Sequence, residues 1–127
     1  MPLTIVVVDD SLDYRLMIHS ILASVSETMT VVGEAADGEE ALALVLRQRP
    51  DIVITDLVMP RLNGVELTRR IRQDLPQTKI ILMSSYTDDA YQLMASDSGA
   101  DVFVNKQVIS ISLLPAIHDV IIRQRRR

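Results

Sequence analysis

The sequence contains no cysteine among its 127 residues, which excludes disulfides and thiolate metal centres. It also lacks any long hydrophobic run. Its apolar stretches last a few residues each, far short of the roughly 20 needed to cross a bilayer. No internal repeat, low-complexity tract or internal linker interrupts the chain. The opening Met1-Pro2-Leu3-Thr4 carries neither a basic region nor a cleavage-like segment. A secretory signal is therefore not expected, and a cytoplasmic location is. An excess of positive charge is missing too: 13 Lys and Arg face 17 Asp and Glu, for a formal net charge of −4. That balance disfavours nucleic-acid binding through the surface as a whole. The two histidines, His19 and His118, have no metal-ligand partner in the sequence and read as surface or satisfied side chains. What is present is ordinary for a globular protein, 48% hydrophobic and 24% charged residues. The length suits one domain with a proper core. The basic residues are uneven, since Arg123, Arg125, Arg126 and Arg127 crowd the end. That cluster reads either as a solvated helix end meeting the negative pole of the helix dipole, or as the start of a linker.

Four short apolar runs stand out, at 4–8, 30–35, 51–55 and 79–83, with a weaker fifth at 101–104. They are rich in Val and Ile at consecutive rather than alternate positions, the pattern of strands buried on both faces of a parallel sheet. Between them lie segments with helical spacing. Tyr14, Met17, Ile18, Ile21, Leu22 and Val25 form one apolar stripe behind the candidate cap Ser11. Asp37-Gly38-Glu39-Glu40 resembles a capping box leading into a helix over 41–49, stopped before Pro50. Gly64–Asp74 gives a third helix, closed by Pro76. Thr87-Asp88-Asp89 caps a fourth, ending at Gly99. The last is expected to begin near Ser112, with Leu114, Ile117, Val120 and Ile121 inward and Pro115 in its first turn. Five strands alternating with five helices imply an α/β domain with helices on both faces of the sheet.

In such a fold ligands bind beyond the carboxyl ends of the strands, where strand order reverses. The first run ends in Asp9-Asp10, the third in Asp56, the fourth in Ser84-Ser85, and Lys106 follows the fifth. Singly, an Asp after a strand is a turn residue or helix cap, and a Lys in a loop is solvated. Together they place three carboxylates, a hydroxyl and an ammonium on one rim. Crowded carboxylates stay ionised only with a cation among them. Oxygen ligands without His or Cys favour a hard cation, and Mg²⁺ with several retained waters fits best. Mg²⁺ in turn implies a phosphate.

At this point the residues match a known family. The chain resembles a response-regulator receiver domain of two-component signalling, over essentially all of residues 1–127. The resemblance rests on five ordered motifs. They are Val6-Val7-Val8-Asp9-Asp10, the segment from Glu34 through Asp37-Gly38 to Ala41, and the segment from Asp51 through Asp56 to Met59-Pro60 with Asn63-Gly64. Ile80 to Ser85 and Gly99-Ala100-Asp101 running to Lys106 complete the set. The fold this implies is a flavodoxin-like (βα)5 sandwich around a five-stranded parallel sheet of order 2-1-3-4-5.

By resemblance Asp56 is the phospho-acceptor, Asp10 binds Mg²⁺ directly, Asp9 binds it through water, and Val58 offers its backbone carbonyl. Lys106 pairs with a phosphoryl oxygen. The spacing to Lys106 selects Ser84 over Ser85 as the switch hydroxyl. Phe103 matches the aromatic that rotates inward when that hydroxyl moves, although read alone it is a plain core aromatic. Val58 and Tyr86 occupy the positions that control access to the phosphate. Met59-Pro60 and Gly64 shape the loop after the acceptor. Gln107 stands where many receivers carry proline after a cis bond, which leaves the Lys106–Gln107 geometry open.

The resemblance implies a sensor histidine kinase as phosphodonor and a homodimer on phosphorylation, with no nucleic acid or membrane bound by this domain. The domain would catalyse only its own phosphorylation and dephosphorylation. The phrase Val31-Val32-Gly33-Glu34-Ala35 and the arginine-rich end resemble receivers that precede a helix-turn-helix DNA-binding domain, so transcriptional output is expected. The alternative is a free-standing receiver acting by protein–protein interaction. Two other classes fit less well. A phosphatase of the haloacid-dehalogenase type wants a second Asp two residues after the nucleophile, where Val58 stands, and a cap insertion for which there is no room. A flavodoxin-like nucleotide module needs a glycine- or hydroxyl-rich phosphate loop where Asp9-Asp10 would repel phosphate.

Overall fold

The computed structural model describes residues 2–85 and 89–125. The chain runs β1 (Leu3–Val8), α1 (Leu12–Ala23), β2 (Met29–Ala35), α2 (Gly38–Gln48), β3 (Ile52–Asp56), α3 (Gly64–Asp74), β4 (Lys79–Ser84), α4 (Asp89–Asp97), β5 (Val102–Asn105) and α5 (Ile109–Arg125). All five strands are parallel, in the order β2-β1-β3-β4-β5. The chain steps from β1 outward to β2 and then returns to the other side of β1 for β3. The order therefore reverses between the carboxyl ends of β1 and β3, and a crevice opens there.

Burial explains the Val and Ile runs. Every residue of β3 is buried, as are Ile5 to Val8 of β1, because helices cover both faces. Successive side chains alternate between two cores. Ile5, Val7, Ile54, Ile81 and Met83 pack against Ile18 and Leu22 of α1 and against Leu113, Ile117 and Val120 of α5. Val6, Val8, Val53 and Ile80 pack on the other face against Ala41 and Val45 of α2 and Leu67 and Ile71 of α3. Each such side chain contributes roughly 1.5–3 kcal/mol relative to exposure.

Side-chain caps start the helices that lead away from the rim. The Ser11 hydroxyl accepts from the Tyr14 N–H at 3.4 Å, Asp37 from Glu40 at 2.9 Å and Asn63 from Glu66 at 2.9 Å. Gly64 opens α3 hard against the end of β3. A Cβ there would run into the Asp56 carbonyl oxygen and lie 2.9 Å from the Leu57 Cα, so only glycine lets helix and strand approach this closely. Gly99 follows α4 with φ +91°, the left-handed turn that ends a helix.

The structure corrects several expectations. The last helix begins at Ile109, not near Ser112. The Asn105 side chain accepts the Gln107 N–H at 2.9 Å and turns β5 directly into a 3-10 turn (Lys106–Val108) that feeds α5. Pro115 consequently lies inside α5 rather than in its first turn. It is tolerated because it is exposed, and the carbonyl that its missing N–H leaves behind belongs to Ile111, 74% exposed. The inward set of α5 is Ile109, Leu113, Ala116, Ile117 and Val120, with Leu114 and Ile121 only partly buried. On α1, Met17 is exposed and Val25 falls past the helix end, so the buried stripe narrows to Ile18 and Leu22. The Lys106–Gln107 bond is trans. Of the expected cap of α4, Thr87 and Asp88 lie outside the described residues.

At the end of the sheet away from the crevice, Arg72 ties three segments together. Its guanidinium donates to the carbonyls of Gly99 (3.0 Å), Pro76 (3.2 Å) and Thr78, and pairs with Asp101 at 2.6 Å. Asp101 also accepts the Ile80 N–H at 2.8 Å, which is why β5 starts after it and not at it. Arg72→Ala is expected to lower stability by about 2 kcal/mol through loss of these charge-assisted bonds. Urea unfolding should show a lower midpoint with an unchanged m-value.

Candidate functional site

The loop after β1, the end of β3 and the end of β5 deliver four charged side chains to the crevice. Asp9 is completely buried. Its Oδ1 accepts the Ser11 N–H at 2.9 Å, and its Oδ2 accepts the Lys106 ammonium at 2.7 Å. The same ammonium donates to Oδ2 of Asp56 at 3.1 Å. Lys106 is only 7% exposed, so one cation bridges two carboxylates from different strands in a largely water-free setting. Asp10 stands exposed beside them. Carboxylate oxygens of Asp9, Asp10 and Asp56 all lie within 4.8 Å of one another, close enough to hold one metal ion. The donors are oxygens alone, as a hard divalent cation requires.

Local backbone contacts fix the loop after β3. The Leu57 N–H donates to the Met83 carbonyl and the Gly64 N–H to the Leu57 carbonyl, both at 2.8 Å. These bonds curl residues 57–64 back under the end of β3. Val58 follows with a half-exposed side chain, and its N–H donates to Oδ1 of Asp56 at a long 3.4 Å.

Burial pushes the Asp56 carboxyl above its usual range, against the pull of the Lys106 ammonium and with the Asp9 charge adding to the rise. Burial also works to lower the Lys106 ammonium. The Asp9 hydrogen bond and the Asp56 charge outweigh it and carry Lys106 above the ordinary lysine value.

Asp9, Asp10, Asp56 and Lys106 therefore come together as the sequence suggested. Ser84 ends β4 one residue beyond the Met83 that pairs with Asp56, and it is 1% exposed. Phe103 is half-buried against the cluster of Leu57, Val65, Leu82 and Ala95. Tyr86 lies outside the described residues. His118 is exposed, and His19 meets Glu34 at 2.6 Å.

Two residues that the sequence reading did not place at the site belong near it. The Tyr14 ring, read as part of the core stripe, covers the Lys106 ammonium. Arg15 donates to the Asp9 carbonyl at 2.6 Å while pairing with Glu34 at 2.9 Å, and so braces the first loop against β2. The signal for both was their position just after Asp9-Asp10 on the first turn of α1.

Comparison with known proteins decides the family. Residues 5–118 match the response regulator receiver domain. The chain belongs to that family. It is 35% identical over 117 residues to the response regulator protein VraR of Staphylococcus aureus, covering 92% of this chain and 56% of that protein. The chain thus spans about half the length of the curated relatives it matches. Among solved structures, the signal receiver domain of the putative response regulator NarL from Mycobacterium tuberculosis superposes with a TM-score of 0.86 at 30% identity. That match covers 94% of this chain and 95% of the other. A LuxR-family two-component response regulator from Aurantimonas sp. SI85-9A1 gives 0.86 at 33% identity, covering 94% and 85%. This receiver domain is accordingly a phosphoryl-accepting signalling domain. Among the described residues no helix is long and apolar enough to cross a membrane.

The raised Asp56 pKa has a consequence for stability. Between the unfolded value, near 3.9, and the higher folded one, the native state holds a proton that the unfolded chain lacks. Stability therefore falls as pH rises through that window, and ionised Asp56 weighs against folding at neutral pH. In metal-free buffer Asp56→Asn is expected to be more stable than wild type at pH 7, with the gain shrinking towards pH 4. Denaturant melts at both pH values test this, and an equal gain at each would contradict it.

Proposed function

We propose that Asp56 is the phospho-acceptor of a Mg²⁺-dependent switch fed by a sensor histidine kinase. The observation that carries this reading is the single buried ammonium of Lys106 shared by Asp9 and Asp56 where strand order reverses. Phosphoryl transfer depends mostly on positioning and charge stabilisation, which this rim supplies. The phosphorus–nitrogen bond of a phosphohistidine donor breaks as the bond from phosphorus to an Asp56 carboxylate oxygen forms. Oδ2 of Asp56 is held by Lys106, whereas Oδ1 meets the long Val58 contact and is the better placed to attack. Lys106 then balances charge on a phosphoryl oxygen. Asp10, Asp9, Asp56 and the Val58 carbonyl would hold Mg²⁺, whose charge offsets that of the crowded carboxylates and the incoming phosphate.

In this reading Ser84 meets a phosphoryl oxygen and Phe103 follows it inward, remodelling the surface of α4, β5 and α5. Leu93, Met94 and Asp97 are exposed there, while Asp101 is engaged by Arg72. A homodimer is the proposed phosphorylated form. Residues 1–127 form one receiver whose arginine-rich end starts a linker, with transcription controlled through a DNA-binding domain outside this chain. The LuxR-family relative supports that output over a free-standing receiver. The chemistry is limited to the domain's own phosphorylation and dephosphorylation.

A small phosphodonor with Mg²⁺ is expected to add one phosphoryl group to Asp56, and Asp56→Asn to abolish it. Mass spectrometry placing the label on Asp9 or Asp10 of the wild type would sink the assignment. Val58 is 48% exposed beside the acceptor, so its apolar side chain can exclude an attacking water. We expect slow loss of the phosphoryl group, accelerated severalfold in Val58→Asn, where the carboxamide can orient a water. Timed decay of the labelled protein checks this, and an unchanged rate would discard shielding by Val58.

A further inference from the structure

The Lys106 ammonium carries three N–H bonds. Asp9 accounts for one at 2.7 Å and Asp56 for a second at 3.1 Å. The remaining side is closed by the Tyr14 ring, whose centroid lies 3.8 Å from Nζ. A cation at that distance over an aromatic face is held by the ring quadrupole, most strongly where water is excluded. We propose that Tyr14 is a positioning residue for phosphoryl acceptance: its ring is the third partner of the Lys106 ammonium and holds it within reach of Asp56. The inference rests on reading Asp56 as acceptor and Lys106 as its cation.

A lysine presents a point charge on a flexible four-carbon stem. Flanked by carboxylates alone, its ammonium could rock between them and recruit water at its open side. The ring removes that freedom. Tyr14 is itself fixed by the loop that fixes Asp9. Oδ1 of Asp9 accepts the Ser11 N–H at 2.9 Å, and the Ser11 hydroxyl caps α1 by accepting the Tyr14 N–H. One segment, residues 9–14, thus sets both a carboxylate and an aromatic face on the same cation. An aliphatic side chain at position 14 would fill the space without supplying the quadrupole. The phosphoryl group would then meet a cation less often in place.

The composition makes a direct test practical, because Lys79 and Lys106 are the only lysines in the sequence. In lysine-labelled protein the ε-protons of Lys106 should resonate upfield of those of Lys79, shielded by the ring. Tyr14→Phe should keep that shift and accept phosphate from phosphoramidate, at saturating Mg²⁺, within about twofold of wild type. Tyr14→Leu and Tyr14→Met should lose the shift and slow acceptance roughly tenfold, with the label still on Asp56. Unshielded Lys106 protons in the wild type would overturn the proposal, as would Leu and Met variants at the wild-type rate. A Phe variant as slow as Leu would also overturn it, since the hydroxyl and not the ring would then matter. If Tyr14→Leu fails to fold, Tyr14→Met and the wild-type shift decide. A wild type that takes no label on Asp56 removes the underlying reading and this inference with it. Label on Asp56 with indifferent Tyr14 variants removes the inference alone.

Discussion

One buried cation organises this receiver domain. Lys106 arrives from the far edge strand, yet its ammonium ends between the carboxylates of the two strands that flank the reversal of strand order. Burying charge is costly unless it is paired and hydrogen-bonded, and removing one partner of a buried pair typically costs about 3–5 kcal/mol. Asp9 without Lys106 would be a fully buried, uncompensated anion beside another. The loops that follow β1 and β3 and the turn that follows β5 are therefore constrained to one another by charge, not by apolar packing alone. The arrangement also leaves negative charge in excess at the rim, since Asp10 adds a third carboxylate against one ammonium. That imbalance is what an added divalent cation would correct.

The rest of the fold makes room for this contact. Glycine at position 64 lets α3 start against the Asp56 carbonyl, and the backbone bonds of Leu57 and Gly64 hold the loop after β3 beneath it. Arg15 grips the Asp9 carbonyl from α1 and hands its second contact to Glu34, whose carboxyl is kept low by the His19 hydrogen bond and, less strongly, by Arg15. Apart from His19, each support comes from a loop, a first helical turn or the edge strand β2.

Much of this was legible in the sequence, for identifiable reasons. Doubly buried strands read as consecutive Val and Ile, so the five runs fell within a residue or so of the observed strands. Carboxylates at successive strand ends can meet only where the topology gathers those ends, which is why Asp9, Asp10, Asp56 and Lys106 could be grouped without coordinates. The failures have physical causes as well. The start of α5 was placed too late because Pro115 reads as a first-turn residue, whereas a 3-10 turn capped by Asn105 carries the helix back to Ile109. Met17 was assigned inward because spacing alone does not set how wide a buried stripe is. Tyr14 was taken for core because helical periodicity reports which face a residue occupies and not what stands across from it.

Helix α4 differs from its neighbours in how it is secured. Among its described side chains Ala95 is the buried one, whereas α3 buries five residues. Its trailing end runs through Gly99 into the Arg72 clasp, where the Gly99 carbonyl and Asp101 are both tied down. An element with one buried side chain among those described and a trailing end tied through Arg72 is among the less costly parts of a domain to displace. Mechanically it is a door hung on Arg72: a change in packing around Phe103 would swing the leading end of α4 while the hinge side stays shut.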